Sequence, residues 1–166
     1  MKIVLVMVCR SIFLGIFLLP FVAAAFNPAE QQRLITSNKC PNCDLTDVKL
    51  SGFDLPGAKL TGADLSGADL TKADLSARKV HYIKHWQKNT PKDKFTPTDL
   101  FGANLTGTDL SGADLSDARL VKSNLTKANL TGADLTGAIL TGAILKNATW
   151  TDGSKCNEGS VGECIK

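Results

Sequence analysis

Leucine recurs at every fifth residue along most of this chain, at 45, 50, 55, 60, 65, 70 and 75 and again from Leu100 to Leu145, with Trp150 closing the series. Two positions before each Leu the residue is usually Ala, and a spacing of two puts both side chains on one face of an extended segment. The Asp or Asn between them must then point outward. Ser or Thr mostly follows the Leu, and Gly comes next in ten of the eighteen repeats. Gly tolerates the positive φ needed at the third residue of a type II turn, and Pro56-Gly57 suits the two central turn positions. Each repeat therefore reads as a short extended piece plus a corner. Period five matches neither an amphipathic helix nor an alternating strand, and a heptad coiled coil needs an apolar residue every 3.5 positions.

Units such as Ala63-Asp64-Leu65-Ser66-Gly67 and Ala133-Asp134-Leu135-Thr136-Gly137 match Ala-(Asp/Asn)-Leu-x-x, and the chain resembles the pentapeptide-repeat family over 90 of its 166 residues. The resemblance implies an all-β fold, a right-handed quadrilateral β-helix of four repeats per coil with Leu and Ala filling the axis. Seven repeats at residues 43–77 and eleven at 98–152 make about four and a half coils. At ~4.8 Å between stacked strands the shaft is roughly 22 Å long. A leader, a short cap helix, a Cys-Pro-x-Cys stretch and then the repeats are similar to the small exported members from cyanobacteria and plant thylakoid lumens.

The ends are read as follows. Residues 1–25 form a signal peptide: Lys2 and Arg10 are the basic start, Ile12 to Val22 the apolar run, and Ala23-Ala24-Ala25 the cleavage site before Phe26. The uncharged stretch is shorter than the ~20 residues that span a bilayer, and it contains Pro20, so no membrane association is expected after cleavage. Residues 26–42 are expected to cap the N-terminal end with a short α-helix, because Asn27-Pro28-Ala29-Glu30 has an N-cap residue, Pro at the first position and Glu three residues on. Residues 153–166 form the C-terminal tail. Four cysteines outside the leader allow three pairings. With the implied shaft holding the two groups roughly 20 Å apart, Cys40 is expected to pair with Cys43 and Cys156 with Cys164. An oxidising compartment, periplasm or thylakoid lumen, suits both bonds.

Residues 78–97 break the repeat for the length of one coil, so the register resumes unchanged. They either form a degenerate coil or leave the shaft, and the loss of the Ala and Leu pattern favours an excursion. The insert is basic and aromatic, with Arg78, Lys79, Tyr82, Lys84, Trp86 and Lys88 as candidate contact residues. Val80, Ile83 and Trp86 have the spacing of a helical stripe against the shaft. His81 and His85 are spaced for one helix face but lack a third ligand, so no metal is expected.

Charge narrows the functional classes. The formal charge is +3, and removal of Lys2 and Arg10 with the leader leaves +1. A near-neutral exported chain does not fit the strongly acidic DNA mimics of this family that inhibit topoisomerases, and no nucleic-acid partner is expected. Stacking positions twenty apart in the implied coil, and skipping the insert, places Asp54, Asp74, Asp114 and Asp134 in one outward column, a candidate recognition face; were the insert a coil, Lys94 would sit between Asp74 and Asp114. No general acid, base or activated nucleophile is set in a cleft, so the chain reads as non-enzymatic and without a cofactor. The expected role is a scaffold or interaction module for an unknown protein partner, monomeric or weakly homodimeric. The rival reading is a thiol-redox protein using Cys40 and Cys43.

Overall fold

The computed structural model describes residues 27–80 and 94–166. The leader and most of the insert, including Tyr82, Lys84, Trp86 and Lys88 and both histidines, lie outside the described residues. Helix α1 (Pro28–Ser37) opens the structure, two short strands β1 (Arg78–Val80) and β2 (Lys94–Thr96) form a hairpin base, and the rest is coil built from single parallel bridges, with two antiparallel bridges from the C-terminal tail to the last coil. Bridges join residues twenty apart, such as Asp44 to Asp64 and Arg119 to Ile139, so four repeats make one turn. The outward columns of the four faces start at Asp44, Lys49, Asp54 and Lys39; they are called the first to fourth faces below.

Every backbone N–H of a typical repeat has a partner, and Ala63–Gly67 shows how. Asp64 N–H donates to Cys43 in the coil before, while Leu65 and Gly67 donate to Asn104 and Thr106 in the coil after. Ala63 N–H closes the corner onto the Leu60 carbonyl at 3.0 Å. The fifth, Ser66 N–H, donates to the Oδ1 of Asp64 at 3.0 Å, and the Ser66 hydroxyl donates to the same oxygen at 2.7 Å. Burying a backbone donor unpaired costs about 1–3 kcal/mol, so this side-chain acceptor is part of the fold. The same bond recurs from Thr46 to Asp44, from Thr106 to Asn104 and from Ser116 to Asp114. Asn serves as well as Asp because each carries the Oδ1 acceptor.

Leu side chains fill the axis, with Leu45, Leu65, Leu105 and Leu125 of the first face all fully buried. Each contributes on the order of 1.5–3 kcal/mol before chain entropy is subtracted. Where Ala is replaced by Thr or Ser, the buried hydroxyl finds a carbonyl: Thr108 Oγ1 donates to Leu65 at 2.7 Å and Ser123 Oγ to Leu120 at 2.8 Å.

The coil starts one repeat earlier than the Leu pattern marks. Lys39 bridges to Lys59, Cys40 sits fully buried in the Leu position, and Asn42 supplies the positive-φ corner at φ 54°. Cys43 fills the next Ala position. The first repeat is therefore carried by cysteines, which a Leu periodicity misses. In α1, Asn27 Oδ1 accepts from Ala29 N–H at 3.1 Å as an N-cap should. Glu30 departs from a capping box: its carboxylate accepts the N–H of Asp44, the donor that elsewhere finds the preceding coil. Leu34 is fully buried in the core.

The insert leaves the shaft. Lys59 bridges directly to Asp99 and Asp74 directly to Asp114, so no coil intervenes. β1 and β2 pair antiparallel, with Arg78 opposite Thr96 and Val80 opposite Lys94. A helical stripe beginning at Val80 is thus replaced by strand; Ile83 and Trp86 lie outside the described residues. Thr98 locks the departure point, donating from Oγ1 to the Ser76 carbonyl and accepting from Gly57 N–H, each at 2.9 Å.

Gly57 lies under this hairpin base. A Cβ there would fall 2.7 Å from Arg78 Cβ and 3.0 Å from the Thr96 carbonyl, at φ +68°, whereas Gly52 at φ +69° has open space. Gly52→Ala is expected to lower stability by about 1–2 kcal/mol from left-handed strain alone, and Gly57→Ala by clearly more; thermal unfolding of the two variants gives the comparison. At Asp74, Asn keeps the acceptor for Ser76 N–H and Ala removes it. Asp74→Asn is expected to unfold near the parent temperature and Asp74→Ala to lose about 1–3 kcal/mol.

Candidate interaction surface

The outward position of each repeat sets the chemistry of each face. On the third face Asp54, Asp74, Asp114 and Asp134 are consecutive rungs, bridged in that order. Strands stacked at ~4.8 Å set the spacing of these carboxylates along the shaft. Asp74, Asp114 and Asp134 each commit Oδ1 to the N–H two residues on, at 2.9 Å in all three. Asp54 is followed at that place by Pro56, which has no N–H to give. The column is thus a row of anchored acceptors, with its orientation fixed by the backbone.

The fourth face has the opposite character: Lys39, Lys59, Asp99, Arg119 and Ile139 occupy the same column. Arg119 pairs with Asp99 at 3.3 Å and lies 4.7 Å over the Phe101 ring, with Lys122 Nζ 5.9 Å from the same ring. Guanidinium stacked on an aromatic face gains cation–π attraction while keeping its donors free at the edge. Lys59 Nζ donates to the Pro97 carbonyl at 3.4 Å. The hairpin leaves at the corner between these two faces. Arg78 is exposed there, the backbone of Lys79 lies in β1, and a groove of about 310 Å³ runs between Phe95, Pro97, Asp117, Arg119 and Ile139.

Both cysteine pairs are bonded, Cys40 to Cys43 with Cα atoms 5.4 Å apart and Cys156 to Cys164 at 5.0 Å. Cys40 and Cys43 are buried in the axis, beneath α1, and the Arg33 guanidinium approaches Cys43 Sγ at 3.9 Å. Thiol exchange needs an accessible sulfur, and this pair offers none in the folded coil. Among the described residues no three His, Cys, Asp or Glu side chains converge as a metal site.

The outward acids carry lowered pKa values where Thr follows. The Thr71 hydroxyl and then its N–H hold Asp69 below the ordinary value of 3.8, and Thr46 and Thr136 do the same for Asp44 and Asp134. The sequence carries a signal for this in its Asp/Asn-Leu-Ser/Thr triplets, but periodicity directs attention to the Leu instead. A carboxylate with a depressed folded pKa contributes stability that is complete above its unfolded value and lost as pH falls through the folded one. The Asp44→Asn, Asp69→Asn, Asp134→Asn variant is therefore expected to match the parent near neutrality. Below about pH 4 its melting temperature should fall less steeply than the parent's, read from a series of thermal melts.

Comparison with known proteins places this geometry. The sequence model of the family described as pentapeptide repeats matches in eight copies, over residues 42–76, 98–137 and 118–149. No curated protein matches the chain. Among solved structures, a pentapeptide repeat protein (Rfr23) from the cyanobacterium Cyanothece 51142 is 28% identical with a TM-score of 0.59, over 73% of this chain and 82% of that one. HetL of Nostoc sp. strain PCC 7120, involved in heterocyst differentiation regulation, is 39% identical over 70% of this chain and 42% of its own, with a TM-score of 0.34. A pentapeptide repeat protein of the Arabidopsis thaliana thylakoid lumen is 26% identical over 78% and 86%, with a TM-score of 0.31. With its period of five, its four-sided coil and this match over more than half of its length, the chain belongs to the pentapeptide-repeat family and folds as a right-handed quadrilateral β-helix.

Proposed function

We propose that this protein is a non-enzymatic interaction scaffold whose third face binds a protein partner with a row of basic side chains. The observation that carries the reading is the rigid column Asp54, Asp74, Asp114 and Asp134, set beside a fourth face rich in Lys and Arg. Free surface carboxylates are usually solvated and mobile, and little is gained from pairing them. Here each of the last three is oriented by its own backbone, so a partner meets acceptors already in place and loses less entropy on binding. A neighbouring basic face disfavours the partner in any other rotational setting, which gives direction to the docking.

In this reading α1 is the N-terminal cap. Glu30 satisfies the Asp44 N–H and Leu34 covers the axis. The leader exports the chain to the periplasm or thylakoid lumen, where both disulfides act as staples. The burial of Cys40 and Cys43 supports that structural role over a redox one.

The four-fold Asn variant at positions 54, 74, 114 and 134 keeps every Oδ1 acceptor while removing four charges. It is expected to melt near the parent temperature and to lose the proteins that the parent captures from its native compartment. An unchanged set of captured proteins would remove the acidic face from consideration, and a second variant lacking residues 79–96 then tests the basic insert.

A further inference from the structure

The C-terminal end of the shaft is a half-step. Residues of the tail add a layer antiparallel to the last coil on two faces only: Val161 bridges to Ile144 on the first and Lys155 to Thr149 on the second. There Leu145 N–H donates to Ser160 at 2.9 Å and Trp150 N–H to Ser154 at 2.7 Å. On the third and fourth faces no described residue pairs with the last coil. Leu135, Gly137, Leu140 and Gly142 N–H and the carbonyls of Ala133 and Ala138 have no backbone partner among the described residues. Leu135 and Leu140, whose counterparts in inner coils are buried, are only partly buried, and Ile139 is 50% exposed. A notch of about 550 Å³ lies between this ledge and Val161, Gly162 and Glu163 of the tail.

We propose that a second copy of this chain docks on this ledge about a two-fold axis, each tail completing the other copy's open half-coil. The axis crosses the shaft along the diagonal from the second–third corner to the first–fourth corner. A half-turn about it exchanges the second face with the third and the first with the fourth. The tail layer of one copy then lands on the uncovered faces of the other, with no layer missing and none doubled.

The contacts fit in both hydrogen bonding and charge. Val161 and Lys155 bond to their own coil only through flanking residues, which leaves their own N–H and C=O groups on the outer edge of the tail, unpaired. Because the tail runs antiparallel to its own coil, the half-turn makes it parallel to the partner's. Lys155 then accepts from Leu135 N–H and donates to the Ala133 carbonyl, and Val161 does the same with Leu140 and Ala138. This is the pattern by which Asn104 accepts from Leu65 and donates to Ala63 within the shaft. Lys155, in the outward position of the second face, meets the partner's Asp134, and the 55% exposed Val161 meets the partner's Ile139. Symmetry provides each contact twice, as a two-fold interface requires. An uncovered strand edge presents unpaired N–H and C=O groups on which another chain can pair. Asp134 serves both this contact and the acidic face, whereas Lys155 lies outside that column, so Lys155→Asp separates failure of the dimer from failure of the acidic-face reading.

Sedimentation equilibrium on protein expressed from the full chain is the test. The parent is expected at twice the chain mass. Asp134→Lys and Lys155→Asp are each expected to weaken the dimer by at least about tenfold, and the chain carrying both is expected to regain it. In a Cys9→Ser background, mixed Ile139→Cys and Val161→Cys chains should be joined by a short thiol-specific cross-linker far more efficiently than either alone. A parent that sediments as monomer at all concentrations overturns the proposal. So does a dimer indifferent to both single reversals, a double reversal that folds without dimerising, or an absence of mixed cross-linking.

Discussion

The shaft depends on one constraint: a chain that turns a corner every five residues must still give each backbone N–H an acceptor. Neighbouring coils take three of the five, and the turn takes a fourth. The last, on the Ser or Thr after each Leu, faces outward at the corner where no backbone carbonyl is within reach. The Asp or Asn two residues earlier supplies its Oδ1, as Asp64 does for Ser66. That requirement explains why Asp or Asn is the commonest outward residue, although both are otherwise poor in extended structure.

Surface chemistry follows from the same bond. Asn and Asp satisfy the corner equally, so the choice between them sets charge without touching the fold. On the first face the inner rungs pass from Asp64 to Asn104 and Asn124, and the Asn104 amide donates to Asp64 Oδ1 at 3.1 Å. The third face keeps Asp throughout. Where the column abandons this chemistry, at Lys59, Arg119 and Ile139, the corner loses its local acceptor and the face becomes basic or apolar. The two features most suggestive of recognition, an acidic face and an apolar ledge, are thus opposite departures from a mixed Asp and Asn ladder.

The ends show how exposed edges are managed. At the start, Glu30 of α1 stands in for a missing coil at Asp44. At the finish, the Cys156–Cys164 loop folds the tail back over Leu145 and Trp150 and stops half a turn short. The Cys156–Cys164 loop places Lys155 and Val161 on the second and first faces.

Much of this was legible along the chain, because Leu every fifth residue admits no other regular packing. The inward and outward positions follow from that period, and the resemblance to the pentapeptide-repeat family adds the fold class, the stacking of Asp54 on Asp74 and the pairing of neighbouring cysteines. What escaped it were positions where another residue does Leu's work, as Cys40 does, and side chains whose partners lie far off in sequence, as Glu30 and Asp44 do. Twenty residues suit either a coil or a departure, and only the loss of the Ala and Leu pattern in the insert favoured a departure. Tertiary structure decided that by joining Lys59 to Asp99 directly. It also decided the half-covered end, because the tail has no period of its own and its path is set by which free edge it can reach. Local spacing determines what a repeat must do, and only the assembled shaft determines which groups are left without a partner.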